Sequence, residues 1–155
     1  MRPPHRGDAR RSRLAAPAGA GLDSGPPLSK LLLVCAGGAL GSGARYLVGT
    51  WSAARWGSDF PWGTLAVNVA GSFLLGVVMV LGLEAGAISP ETRLFLAAGV
   101  MGGFTTYSSF NHETISLAAR GQWALASVYV VGTLLVAWGA GAAGILVARL
   151  VAPGT

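Results

Sequence analysis

Long apolar stretches separated by short polar segments dominate the chain after residue 30. Each of four stretches is near or above the length of about 20 residues that an α-helix needs to cross ~30 Å of hydrocarbon. They cover about residues 31–50, 62–83, 93–118 and 123–151. This pattern predicts an all-α membrane protein with four transmembrane helices in a single domain, residues 30–151.

The composition supports this prediction. Charged residues make up 11% of the 155 residues and hydrophobic residues 52%, whereas a typical soluble domain has about 25% charged residues. Glycines inside the apolar stretches, as in the pair Gly37 and Gly41, allow helices to approach closely. Glycine is common in membrane helices, so this spacing adds little by itself.

Residues 1–29 differ from the rest of the chain, since they are rich in arginine and proline. Such a segment cannot bury a core, and we interpret it as a disordered basic tail. Most of the net charge of +5 arises there, which favours a positive-inside membrane anchor over a nucleic-acid contact. We expect no cleaved signal peptide, because the first apolar run is long and continues into Arg45. A start codon assigned too far upstream would also explain the tail.

Residues 102–110, with the sequence GGFTTYSSF, interrupt the third apolar stretch. Two adjacent glycines weaken a helix, and threonine and serine compete for its backbone hydrogen bonds. Freed backbone groups at membrane depth persist only when they are buried in protein or line a wet cavity. The segment therefore predicts a third helix that is broken in mid-membrane, and a candidate ion site at the break.

Few residues in the chain are typical of catalytic or metal chemistry. Cys35 is the single cysteine and is best explained as a small packing residue. His5 and His112 do not have the spacing of a zinc site. The chain has no Ser-His-Asp set or nucleotide-binding fingerprint, and the glycine cluster at residues 37–43 lies inside an apolar span. We therefore predict that the protein is not an enzyme.

Polar residues inside the spans carry the remaining information. Arg45 costs ~2.5–3.5 kcal/mol at mid-depth, so it either snorkels to an interface or draws anions into a vestibule. Asn68 either ties helices together or lines a pore, and we favour the pore. Glu113 either ends that pore or marks a solvated helix end. Tyr129 and Thr133 share a helix face, which by itself indicates packing.

Three motifs together resemble the Fluc (CrcB) fluoride channels of bacteria. They are GGALG at residues 37–41 followed by Arg45-Tyr46, GTLAVNVAGSFLLG at residues 63–76, and GGFTTYSSF at residues 102–110 followed by Glu113. The resemblance covers about residues 30–150. It implies a four-helix subunit that forms an antiparallel, dual-topology dimer in the bacterial inner membrane. Two fluoride pores and a structural sodium ion at the centre are implied as well.

The resemblance also implies roles for individual residues. The backbone carbonyls of Gly102 and Thr105 would bind the sodium ion together with the same pair from a second subunit, and oxygen ligands suit a hard cation. The fluoride pore would be lined by Asn68, Tyr107, Ser108, Ser109, Phe110 and Glu113, with Tyr129 and Thr133 from the fourth helix. Arg45 would lie in a vestibule.

Tyr107 departs from the family pattern, which usually has phenylalanine at this position. A tyrosine keeps the electropositive ring edge that can hold a small anion and adds a hydroxyl group. That hydroxyl could donate to fluoride, narrow the pore or bind a neighbouring group. The departure raises the alternative that this chain is a non-conducting subunit of a heterodimer with a paralogous partner.

The implied activity is a passive leak that lets the membrane potential expel fluoride from the cell and lower its toxicity. The implied partners are fluoride, membrane lipid and a second subunit, with no nucleic acid. A small multidrug exporter is a further alternative, but it would need a carboxylate in the first span, where this chain has none.

Overall fold

The computed structural model describes residues 27–152. The predicted disordered tail lies outside the described residues up to residue 26. Within residues 27–152 all regular secondary structure is helical and no strand is present. Three helices are long and apolar enough to cross a membrane, namely Leu28–Trp56, Trp62–Glu84 and Trp123–Val151. These findings confirm an all-α membrane protein.

Helix α1 covers Leu28–Trp56 and is longer at both ends than the predicted span 31–50. It begins directly after Pro27, whose carbonyl accepts from the amide of Lys30 at 2.8 Å. It ends at Gly57, which has a φ of 77° that favours glycine. Helix α1 therefore includes Leu28 and Ser29, which the sequence analysis assigned to the tail, because a proline limits the start of a helix but the residues after it are free to be helical.

Helix α2 begins at Trp62, is α-helical to Met79 and continues as a π-helix over Val80–Glu84. It therefore ends one residue beyond the predicted span 62–83. A turn at Gly86, with a φ of 59°, follows this end. The last helix, α5, covers Trp123–Val151, the range predicted from the sequence.

The third apolar stretch forms two helices. Helix α3 covers residues 90–104 in three consecutive pieces, α-helical Pro90–Arg93, π-helical Leu94–Met101 and α-helical Gly102–Phe104. Helix α4 covers Tyr107–Ala119. Between them Thr105 and Thr106 are extended, with ψ values of 156° and 114°. The interruption thus lies inside the segment predicted to break.

Small residues allow the helix backbones to touch. A Cβ atom added to Gly37 of α1 would lie 2.9 Å from the Cα atom of Gly99 on α3. A Cβ atom on Gly76 of α2 would lie 3.0 Å from the backbone nitrogen of Ile145 on α5. Because real Cβ atoms do not approach so closely, these helix pairs depend on glycine. This packing holds the interruption between α1 and α2.

The two ends of the helix bundle differ in character. The tryptophan end contains the α1–α2 connection and the start of α5, with Trp51, Trp56, Trp62 and Trp123. Three of these rings form a chain, with centroids 5.0 Å and 6.3 Å apart. The terminal end contains the start of α1 and the end of α5. There the guanidinium of Arg149 donates two hydrogen bonds of 2.8 Å to the carboxylate of Glu84.

Candidate functional site

The interruption between α3 and α4 is bound by Asn68 of α2. The side-chain nitrogen of Asn68 donates to the carbonyl of Thr106 at 3.2 Å, and its oxygen accepts from the amide of Thr106 at 2.8 Å. One side chain therefore satisfies both backbone groups of a residue that has left the helix. The sequence analysis placed Asn68 along a pore and did not foresee this contact.

Thr106 also begins helix α4 as its N-cap. Its hydroxyl oxygen accepts from the amide of Ser109 at 3.2 Å, and its hydroxyl donates to the Ser109 hydroxyl at 3.0 Å. The Ser108 hydroxyl lies 3.3 Å from the same oxygen. Capping of this kind stabilises a helix start. The positive end of the α4 dipole consequently lies at the interruption, where it favours an anion.

The capping contacts also free two carbonyl groups. In a continuous helix the amides of Thr106 and Ser109 would donate to the carbonyls of Gly102 and Thr105. Here both amides donate to side chains instead, to Asn68 and to the Thr106 hydroxyl. Gly102 is exposed, and a Cβ atom added to it would meet no atom within 4 Å. Carbonyl oxygens without their helical donors are suitable ligands for a hard cation.

Those carbonyls belong to the two residues that the sequence analysis assigned to a sodium ion. Within residues 27–152 no cluster of His, Cys, Asp and Glu side chains could hold a metal ion instead. The oxygen donors at residues 102 and 105 are of the kind that a sodium ion binds. The ion itself stays a prediction.

One groove brings five predicted site residues together. It has a volume of about 750 Å³, and its lining includes Asn68, Thr105, Tyr107, Phe110 and Thr133. Phe110 is buried, whereas Tyr107 is 78% exposed, and their ring centroids are 6.0 Å apart. The buried hydroxyl of Thr133 has no hydrogen-bond partner among the described residues. We call this surface the aromatic groove.

A second cavity lies on the other side of Thr106. It has a volume of about 400 Å³ and is lined by Arg45, Thr64, Thr106 and Ser109, among others. Arg45 is half-buried, and it forms no ion pair with any residue that the structure describes. We call this space the arginine cavity. Thr106 lines both spaces, so the arginine cavity and the aromatic groove both border the helix interruption.

Glu113 lies in the middle of α4, not at a solvated helix end as one of the sequence alternatives held. Its carboxylate accepts a hydrogen bond of 2.7 Å from the hydroxyl of Thr64 and another of 2.7 Å from the hydroxyl of Tyr129. Hydrogen bonds to a charged acceptor are short and strong. The buried ring of Tyr129 in turn packs on Phe110, with centroids 5.1 Å apart.

Thr64 is a functional candidate that the sequence analysis missed. It lines the arginine cavity and binds Glu113, yet it stood in a quoted motif without an assigned role. The available signal was its position four residues before Asn68, which places both side chains on one face of α2.

Two other predicted site residues, Gly102 and Ser108, are exposed on the surface of the subunit. The pore and sodium roles of all these residues stay predictions.

The apolar helices and the polar interruption among them define a polytopic membrane protein. Residues 32–145 match the family described as CrcB-like protein, Camphor Resistance (CrcB). The chain belongs to this family.

Several relatives carry the name "Fluoride-specific ion channel FluC". The protein from Anaeromyxobacter dehalogenans is 55% identical over 125 residues, which cover 81% of this chain and 99% of the relative. The protein from Agrobacterium fabrum is 49% identical over 119 residues, or 77% and 95% of the two chains. A relative from Thermus thermophilus is 51% identical over 107 residues, or 69% and 84%. These names denote an ion channel and not an enzyme, and they confirm the family that the three motifs indicated.

Proposed function

We propose that this chain forms a passive, fluoride-selective channel that exports fluoride from the cytoplasm. The observation that carries the proposal is that the arginine cavity and the aromatic groove both border Thr106 at the helix interruption. An ion that passes Thr106 would move between a cavity that holds Arg45 and a largely apolar, aromatic groove. The relatives named as fluoride channels identify the ion that such a route would conduct.

The arginine cavity is suited to collecting anions. The unpaired charge of Arg45 raises the local anion concentration in a space with low-dielectric walls. The hydroxyl of Ser109 lies along the same cavity, and its hydrogen can be donated to fluoride in place of water, whereas the hydroxyls of Thr64 and Thr106 already donate to Glu113 and Ser109. The N-terminal end of α4 adds a favourable dipole at this point.

The aromatic groove supplies the selectivity. Ring edges carry partial positive charge, so the edges of Tyr107 and Phe110 attract a small anion, while cations are repelled. The second amide hydrogen of Asn68 offers a further donor on the same groove, and the buried hydroxyl of Thr133, which has no partner among the described residues, lies behind its lining. With the open side of the groove covered by a second copy, a narrow set of donors would replace the tight hydration shell of fluoride and exclude the larger chloride.

The direction of transport follows from acid-base chemistry. Hydrogen fluoride is a weak acid that crosses membranes uncharged and dissociates at neutral cytoplasmic pH, which traps the anion inside. A membrane potential that is negative inside drives fluoride out through a passive channel. Transport therefore needs no energy source in the protein. The channel would act in the bacterial inner membrane.

We further propose that residues 90–119 cross the membrane as a fourth, interrupted span, and that two subunits assemble in antiparallel orientation. The aromatic groove is open along one side, with the large rings of Tyr107 and Trp138 exposed. The indole N–H of Trp138, near the middle of α5, would lack a hydrogen-bond partner in hydrocarbon unless protein supplies one. A second copy would cover this groove and complete each pore. The carbonyls of Gly102 and Thr105 from both copies would then hold one sodium ion, which would link the subunits.

Ion efflux from liposomes tests the proposed function directly. Full-length protein is reconstituted into vesicles loaded with potassium fluoride or potassium chloride, and a potassium ionophore is added to start electrodiffusive efflux. We expect rapid fluoride efflux and chloride efflux close to that of empty vesicles. Equal efflux of the two anions would contradict fluoride selectivity.

The same assay separates the alternatives. No fluoride efflux from this chain alone, with efflux restored by a second oppositely oriented protein, would identify it as one half of a heterodimer. Fluoride movement that requires a proton gradient would indicate an exporter. The absence of any Asp or Glu from α1 disfavours a proton-coupled exporter.

A further inference from the structure

A third cavity lies at the terminal end of the bundle, away from the interruption. It has a volume of about 280 Å³ and lies between the start of α1 and the start of α3. Its charged lining comes from the helix ends, with Lys30, Glu91 and Arg93. Its apolar lining comes from Leu94, Ala97 and Ala98, up to about one turn further along α3, and from Met79 on α2. The cavity is therefore polar at the end of the bundle and apolar towards its middle.

Two cations line this cavity without an ion-pair partner among the described residues, whereas a third cation at the same end of the bundle has one. Arg149 is bound through two hydrogen bonds to Glu84. Lys30 and Arg93 form no ion pair within the described residues, although Glu91 lines the same cavity. Two positive charges and one negative charge leave an excess of one positive charge in the cavity.

The side chain of Arg93 is held in position by α2. Its stem packs on Gly82, where an added Cβ atom would lie 2.8 Å from the Arg93 Cδ atom and 3.1 Å from the Cγ atom. Arg93 is half-buried as a result. An arginine whose stem is fixed and whose charge is unpaired is prepared to bind an anion, because little side-chain freedom remains to be lost.

The depth of the cavity identifies the source of that anion. Helix α1 has 29 residues, and at 1.5 Å per residue it is about 43 Å long, which exceeds the ~30 Å hydrocarbon core. Lys30 is the third residue of α1 and therefore lies at headgroup level. The neighbouring apolar lining lies at the level of the acyl chains.

We propose that this cavity binds one anionic phospholipid with a hydroxylated headgroup. Lys30 and Arg93 bind the phosphodiester, Glu91 accepts hydrogen bonds from headgroup hydroxyls, and an acyl chain packs on Leu94 and Ala98. The site is separate from the proposed fluoride path and depends only on insertion of the chain into a membrane.

Native mass spectrometry of the full-length protein tests this site. The protein is incubated in detergent with phosphatidylglycerol, phosphatidylethanolamine or phosphatidylcholine, and the bound fraction is measured for each lipid. We expect phosphatidylglycerol to be retained most strongly. Arg93→Gln and Lys30→Gln should each weaken its retention about fivefold, the effect of one basic residue near a membrane surface. Arg120→Gln, the same change at the tryptophan end, should have no effect.

A charge-preserving variant separates a defined site from general surface charge. Gly82→Ala would displace the Arg93 stem without changing any charge, so it should weaken phosphatidylglycerol retention as Arg93→Gln does. Gly43→Ala is the matched control, because a Cβ atom there meets no atom within 4 Å. Thermal unfolding of each variant checks that the fold is retained.

Three results would overturn the proposal. The first is equal retention of phosphatidylglycerol and either zwitterionic lipid by the wild-type protein. The second is unchanged retention in both Arg93→Gln and Gly82→Ala. The third is displacement of the lipid by an equal concentration of soluble glycerophosphate, which would show that the cavity binds a free phosphate ester and not a lipid.

Discussion

Asn68 shows how a single side chain can support an interruption in a helix. Its amide has the same donor and acceptor groups as a peptide unit, and it pairs with Thr106 through both of them. A buried threonine outside a helix would otherwise leave a donor and an acceptor unsatisfied, at a cost of about 1–3 kcal/mol for each group. The residue therefore supports the break and lines the groove at the same time.

Asn68→Asp should separate these two functions. The carboxylate keeps an acceptor for the Thr106 amide but loses the donor to the Thr106 carbonyl, and its charge repels fluoride. We expect fluoride efflux from liposomes to fall at least about tenfold, which corresponds to about 1.4 kcal/mol in the barrier. Asn111→Asp provides the control, since Asn111 is exposed on α4. Equal efflux for wild type and Asn68→Asp would limit Asn68 to packing.

Tyr107→Phe tests the role of the hydroxyl group at the unusual family position. The Tyr107 hydroxyl has no hydrogen-bond partner within the described residues, whereas its ring lies 6.0 Å from Phe110. We expect fluoride efflux to be retained or raised, because the ring edge is kept. Tyr107→Leu, which removes the edge at similar bulk, should reduce efflux. A loss of efflux in Tyr107→Phe would make the hydroxyl an essential ligand.

Motif-bearing residues could be predicted from the sequence, but their contacts could not. The hydroxyl and aromatic residues of GGFTTYSSF stand out because they are polar within an apolar run. The bonds from Thr64 and Tyr129 to Glu113 join residues that are 49 and 16 positions apart. Such pairs depend on how three helices pack, and no periodicity within one helix encodes that packing.

At the scale of helices, the break in the third stretch was predictable and the π-helical turns were not. Adjacent glycines and hydroxyl side chains weaken a helix locally, and that effect is visible in the sequence. The segment Leu94–Met101 is apolar on every face. Such a run is compatible with either helix type, so its hydrogen-bond pattern follows from the packing around it.

Close packing between α1 and α3 should make Gly37→Ala destabilising. An added Cβ atom would lie 2.6 Å from the carbonyl oxygen of Phe95 and 2.9 Å from the Cα atom of Gly99, both of them backbone atoms. The helices would have to separate, at a cost of about 1–3 kcal/mol. Thermal unfolding in detergent should show a lower midpoint for this variant.

The matched control is Gly43→Ala on the same helix. This position has open space around it, and alanine favours a helix more than glycine does. We expect an unchanged or slightly higher unfolding midpoint. Similar midpoints for Gly37→Ala and Gly43→Ala would show that α1 and α3 tolerate a wider separation.

At the scale of the whole molecule, the positive charges are nearly balanced between the two ends. The terminal end has Lys30, Arg93 and Arg149, and the tryptophan end has Arg55 and Arg120. The balance of lysine and arginine in short flanking segments sets the orientation of membrane proteins. A small imbalance suits a subunit that inserts in both orientations, as an antiparallel homodimer requires.

Residues 1–27 should bias this balance. They carry five arginines, although charges more than ~15–20 residues from a span have less effect. We expect the full-length chain to insert with its termini in the cytoplasm more often than a variant that starts at Leu28. That variant keeps the whole of α1 and should insert both ways. A reporter fused to the C-terminus and read on both sides of the membrane measures the two orientations.

The outcomes of the reporter experiment differ in their meaning. A single shared orientation for both proteins would require a second protein of opposite orientation and would identify a heterodimer. Mixed orientation for both proteins would show that the tail has no effect on topology and would leave the homodimer intact.

The location of four of the five tryptophans at one end has an optical consequence. In an antiparallel pair, one aromatic cluster would face each side of the bilayer, so the pair would look the same from outside and from inside. A water-soluble quencher added to sealed vesicles would reach one of the two clusters whichever way each pair had been inserted. Intrinsic fluorescence would then fall to the same plateau in every preparation, whereas a parallel pair would give a plateau that varies with the orientation of reconstitution.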